Sequence, residues 1–247
     1  MKHLSFVVIS VQIRPASPFN WHVLPMARFF YLLLGLYAAT GAFAAGPVDE
    51  DKPYGRVCLS IYDPGPPEKE EAFQDSAAPG AGRIVRAYVD ASQKCSVLIA
   101  AMTKDGKLIP GWRPQLSDVP GEFEEILLPK APTKWDWSTA VGRFDFYVLF
   151  LDPGAKEIAE AKKLIEAMQN PKLDDRVLAM QNGKLKELIG RLVSDTDKSN
   201  QAPASEPEVG GVFRGAAFPW RQFARGANFS ADRPGVLVLS SDTAEKK

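Results

Sequence analysis

The sequence predicts a mainly β protein, an antiparallel β-sandwich of about seven strands with a late helical insert and a mobile linker. Three observations carry that prediction. Gly142–Asp152, G-R-F-D-F-Y-V-L-F-L-D, places Phe144, Phe146, Val148 and Phe150 on one face at period two, and Leu149 and Leu151 make its far end apolar on both faces. This is the pattern of a central strand, stopped by Asp152-Pro153-Gly154. Other short apolar runs at the same period are separated by turn residues, with Asp105-Gly106 the sharpest hairpin signal. After the central strand the period lengthens to about 3.6, so helices follow strands rather than alternating with them.

Residues 1–44 read as a secretory signal: no Asp or Glu occurs in the first 45 residues, Phe29 to Ala38 is the densest apolar run, and Ala42-Phe43-Ala44 is an A-x-A cleavage site. Met26, just before Arg28 and the apolar run, fits a true start, which would leave 1–25 as untranslated upstream sequence. An uncleaved anchor is the competing reading, and the run is short for a span. No Cys stands directly after the apolar run at the cleavage site, which argues against a lipid anchor at an amino-terminal Cys.

The 30 basic residues balance 30 acidic ones; loss of Lys2, Arg14 and Arg28 with the leader leaves 27 against 30, a net charge of −3. Such a balance argues against nucleic acid as an obligate partner. His3 and His22, the only histidines, leave with the leader. A chain without histidine cannot run a Ser-His or Cys-His nucleophile, nor build an imidazole zinc site. No G-x-S-x-G occurs and no Ser is followed three positions later by Lys, so serine hydrolase chemistry is disfavoured too.

From 45 to 152 the chain reads as the β body. Arg56 to Asp63 alternates Val57, Leu59 and Ile61 against Cys58, Ser60 and Tyr62, and the Pro-, Gly- and charge-rich stretch to Gly82 reads as a long mobile loop. Arg83 to Asp90 and Lys94 to Thr103 are strands, followed by a short strand at Lys107 to Ile109 and another at Glu122 to Leu128. Residues 153–194 form the helical insert, with a stripe of Ile158, Ala161, Leu164, Ile165 and Met168 ended by Asn170-Pro171. A second helix marked by Leu173, Val177 and Met180 is capped by Asn182-Gly183, and a third is marked by Leu185, Leu188, Ile189 and Leu192. Residues 195–210 read as a polar linker, and 211–247 as a segment with a short helix from Pro219 to Ala227 and a closing strand, Val236 to Ser240.

In an exported chain, Cys58 and Cys95 are expected to form one disulfide; the alternative is two buried thiols. Val85–Pro129, with its strand, the Asp105-Gly106 hairpin, Ile109-Pro110, Pro120-Gly121-Glu122 and terminal Leu128-Pro129, resembles an uncharacterised bacterial β-sandwich domain family of exported and peptidase-associated proteins. The resemblance implies a sandwich without established catalytic residues.

Four constellations have a functional and a structural reading. Trp135-Asp136-Trp137 could present indoles to a sugar ring or bury them in the core, the latter favoured because buried aromatics dominate core energetics. Asp136 and Asp145 could pair for glycoside cleavage or face solvent separately. Asp195, Asp197, Ser199 and Glu206 match four positions of a calcium loop, yet Asn200 stands where that loop needs glycine, so a solvated linker explains them better. Phe213 to Arg233 sets Arg214, Arg221, Arg225 and Arg233 against the single acid Asp232, among Phe218, Trp220, Phe223 and Phe229. Arg214, Trp220, Arg221 and Arg225 are candidate partner-binding residues, because Arg and Trp beside half-exposed aromatics suit a docking surface; the alternative is an amphipathic segment that covers the sheet.

The expected function is therefore an exported, periplasmic or extracellular, non-enzymatic binding or envelope-associated protein. The competing reading is a carboxylate-dependent glycan hydrolase of the envelope. The expected partner is an envelope protein or polysaccharide, with no nucleic acid, no cofactor, no metal and no membrane span after leader removal.

Overall fold

Apolar residues at every second position draw the chain into two antiparallel sheets that pack face to face, as the computed structural model shows for residues 49–73, 81–140, 142–169, 173–194, 196, 212–214 and 218–243. The first sheet centres on β1 (Tyr54–Asp63) and β3 (Ile84–Ala91), in register from Gly55 opposite Ala91 to Tyr62 opposite Ile84. Beyond β1 lie β2 (Lys69–Ala72) and β10 (Arg225–Asn228), with β9 (Val212–Arg214) outside β2; beyond β3 lie β6 (Ile126–Leu128) and β7 (Trp135–Asp136). The second sheet runs β11 (Gly235–Thr243), β8 (Gly142–Leu151), β4 (Cys95–Thr103), β5 (Gln115–Val119).

Between the sheets lie the odd-numbered residues of β1, such as Val57, Leu59 and Ile61, and the even-numbered ones of β8, Phe144, Phe146, Val148 and Phe150. Trp112, Trp135 and Trp137 join them, so the favoured core reading of the tryptophan pair holds. Trp112 stacks on Trp135 at 5.9 Å and donates from Nε1 to the Asp136 carbonyl at 2.9 Å; Trp135 donates to the Arg113 carbonyl at 3.0 Å. Trp112 and Trp135 thus keep their N–H groups paired inside the core.

The second sheet's outer face is covered by α1 (Lys156–Met168) and α2 (Asp175–Ser194). Their apolar stripes, including Leu164 and Ile165 from α1 and Leu188 and Leu192 from α2, meet Leu98, Met102, Leu149 and Leu151. The far end of β8, Val148 to Leu151, is therefore buried on both faces, as its apolar sequence implies.

Several expectations are corrected. The helix break at Asn182-Gly183 does not exist: α2 is continuous through both residues, because the stripe stays in phase from Leu178 to Leu192 and holds the helix on the sheet. The helix expected from Pro219 to Ala227 is a 3-10 turn, Trp220–Phe223, followed by β10, which pairs with the otherwise open edge of β1 at Tyr54–Val57. Part of the expected loop to Gly82 is β2, whose Glu70 and Glu71 find partners elsewhere in the chain; 74–80 lie outside the described residues. Lys107 to Ile109 contributes one bridge, Met102 to Leu108, and Glu122 and Phe123 turn with φ of 52° and 59° instead of entering a strand.

The expected disulfide is absent. Cys58 and Cys95 are both free and buried. Cys58 alternates with Val57 and Leu59, so its side chain lies on the outer face of the first sheet among Ala72, Phe218 and Trp220; Cys95 opens a strand of the other sheet and points into the core between sheets. A sheet lies between them, and no rotamer can bring the sulfurs together. The leader 1–44, the acid set Asp195, Asp197, Ser199 and Glu206, and the linker 195–210 apart from Thr196 lie outside the described residues.

Candidate partner-binding face

The period that sends Val57, Leu59 and Ile61 inward sends Arg56, Cys58, Ser60 and Tyr62 outward, and the register with β3 sets them opposite Asp90, Tyr88, Arg86 and Ile84. Sequence alternation therefore builds a polar outer face on the first sheet. It contains two anchored carboxylates.

Glu70, on β2, is the first. Its Oε1 accepts from Ser60 Oγ at 2.6 Å, both its carboxylate oxygens lie 3.0 Å from the Tyr88 hydroxyl, and Arg86 approaches Oε2 at 3.6 Å. The Arg86 guanidinium also lies 3.3 Å from the centroid of the Tyr62 ring. Burial, reinforced by the Glu70 charge, raises the Tyr88 phenol above its ordinary 10.0.

Asp90 is the second, with its side chain fully covered. Arg56 grips it through two bonds, Nε to Oδ1 at 2.9 Å and Nη2 to Oδ2 at 2.7 Å, and Arg221 Nε lies 3.3 Å from Oδ2. Hydrogen bonding to Asp90 is the largest cause raising the Arg56 guanidinium above its ordinary value. Arg56 also lies 4.8 Å from the Phe123 ring centre, and Arg221 Nη2 donates to the Phe123 carbonyl at 3.0 Å.

Over this face the 3-10 turn lays its aromatics. Trp220 stacks on Tyr88, Phe218 lies 5.6 Å from the Tyr88 ring and stacks on Phe223 at 5.7 Å, and Trp220 Nε1 donates to Glu125 Oε2 at 2.5 Å. Beneath them burial pushes the Cys58 thiol up to about 12, the Glu70 charge adding to the effect and Arg225 opposing it. A thiol held protonated this way is a small apolar side chain, not a nucleophile.

Of the candidate residues, Trp220 is buried, Arg221 keeps 53% of its side chain exposed while tied to Asp90, and Arg225 is half-buried in β10 opposite Val57. The structure brings Trp220 and Arg221 to one edge of the face, whereas Arg225 stands in register with the inward-facing Val57. Arg214 takes a place in β9 opposite Lys69, on the far side of β2. Phe123, 36% exposed beside Arg221, was not among the sequence candidates. Its signal was available in Gly121, whose left-handed φ of 95° begins a turn that holds Phe123 out of a strand.

Asp136 and Asp145 do not form a couple. Asp136, between two inward tryptophans, caps the following 3-10 turn by accepting from Ser138 N at 2.9 Å, whereas Asp145 lies on the outer face of the other sheet and accepts from Ser240 Oγ at 2.7 Å. The core separates them. Among the described residues, no group of three or more His, Cys, Asp and Glu could hold a metal, and no helix is long and apolar enough to cross a membrane. No protein-family model, curated protein or solved structure matches the chain.

Proposed function

We propose that the protein is a non-enzymatic binding module of the bacterial cell envelope, and that it meets an envelope protein or polysaccharide at the edge of the first sheet's outer face where Arg221 and Phe123 meet. The observation that supports this reading most is the division of labour within one turn. Trp220 is sunk on Tyr88 while its neighbour Arg221 stays half exposed beside the wet ring of Phe123. A rigidly held arginine next to an exposed aromatic suits a hot spot, because little side-chain entropy is lost on docking. The exported location rests on the leader-like sequence of residues 1–44.

The glycan hydrolase reading is the weaker one, since the acid pair that motivated it lies on opposite outer faces. Recovery of partners from an envelope fraction by wild type and by an Arg221→Ala/Arg225→Ala double variant tests the binding reading. Loss of the partner with an unchanged melting temperature supports it; full recovery by the double variant removes it.

A further inference from the structure

We propose that the groove between β3, β6 and β7 binds a small amphiphile, one anionic head on a short apolar body. This site is separate from the Arg221 edge and does not depend on it.

The groove follows from how two strands share one edge. β6 pairs with Ala87, Tyr88 and Val89 of β3, and β7 pairs with Ile84 and Val85 of the same strand. The chain joining them, Pro129–Lys134, does not continue along β3 and leaves a cavity of about 460 Å³ under its arch. That volume falls within the range of small-molecule sites. Ile84, Leu127, Leu128, Pro129, Ala131 and Pro132 supply apolar lining. Two prolines in the arch restrict its backbone, so little ordering is needed on binding. Leu127, directly across from Tyr88 in the register, is left 41% exposed at the rim, among the few large apolar side chains that stay wet.

The polar lining is one-sided. It consists of Arg86, Lys130, Lys134 and Thr133, without a carboxylate, in a chain whose acids and bases are equal in number. Arg86 is already engaged by Glu70 and the Tyr62 ring. Lys130 and Lys134, one at each end of the arch, have no ion pair among the described residues, so they are the charges free to meet an incoming anion. An apolar body would displace water from the leucine and proline walls while the head sits between the lysine ammoniums. A cationic amphiphile would meet the same walls and be repelled at the mouth.

Equilibrium dialysis of the full chain against radiolabelled decanoate tests this directly, with decyltrimethylammonium as the charge-reversed control. Saturable binding of decanoate at one site with Kd below about 1 mM is expected, weakened by added salt. Lys130→Ala/Lys134→Ala should weaken it by about tenfold, the combined effect of two surface ion pairs, and Leu127→Glu should abolish it. All three side chains are exposed, so these variants should melt like wild type. Absence of saturable decanoate binding, equal retention of the cationic control, or unaltered binding by the lysine variant would each overturn the proposal.

Discussion

Trp220 lies flat on Tyr88, ring centroids 5.9 Å apart and planes 17° from parallel, and through that contact the carboxy-terminal turn closes over the first sheet's outer face. The contact links two anchored groups: Tyr88 holds Glu70, and Trp220 holds Glu125. It also roofs Cys58, which packs with Phe218 and Trp220.

Removing that roof has two readouts. Trp220→Ala deletes a buried ring and should destabilise the fold by about 3 kcal/mol, seen as a lower melting temperature. It should also speed labelling of Cys58 by a thiol reagent under native conditions, since the sulfur loses its cover. Trp220→Phe, which keeps a ring on Tyr88, should leave labelling slow. Wild-type labelling in Trp220→Ala would show that the turn does not shield Cys58.

Alkaline pH should weaken the fold in a defined window. Burial pushes both the Cys58 and Cys95 thiols from an ordinary 9.0 up to about 12, and raises the Tyr88 phenol above 10.0. The unfolded chain releases these protons near the ordinary values while the native fold keeps them, so the unfolded state binds fewer protons above pH 9. Their contribution to stability is full below pH 9 and is lost as pH rises toward about 12. The urea midpoint should fall across that window, with a shallower slope for Cys58→Ala. Equal slopes in the two proteins would contradict the assignment to Cys58. Reductant should leave the midpoint at pH 8 unchanged, because there is no disulfide to break.

Gly183 provides a test of the continuous second helix. An added Cβ there meets no atom within 4 Å, and the residue has helical neighbours on both sides. Gly183→Ala should therefore stabilise the protein by about 0.5–1 kcal/mol, raising the melting temperature. Destabilisation would mean that Gly183 needs a conformation alanine avoids, as a helix cap does.

The legible part of the fold was written in periodicity. β1, β3 and β8 carry alternating apolar residues and β4 and β11 continuous apolar runs long enough to be read, and the stripe ending in Leu188 and Leu192 names a helix. The missed strands lack that signal for physical reasons. β2 is Lys-Glu-Glu-Ala, and two of its charges are satisfied by Arg83, Ser60, Arg86 and Tyr88 from elsewhere in the chain. β10 is Arg-Gly-Ala-Asn, a strand only because β1 offers it an edge. The cysteines misled because compartment was weighed before facing: one residue of strand period decides which side of a sheet a thiol occupies. For the candidate face, arginines and tryptophan were visible in composition, whereas the carboxylates that organise them, Glu70 and Asp90, became visible only once strand register was known.

The central claim is that the partner docks on the Arg221 edge and not on the helical side of the molecule. Photo-crosslinking in intact envelopes tests it most directly, with a benzophenone amino acid replacing Phe123, 36% exposed beside Arg221, or Met180, 50% exposed on α2. A discrete adduct from position 123, lost with Arg221→Ala, and none from position 180 is the predicted result. Adducts from position 180 alone would place the docking surface on the helices and contradict the account.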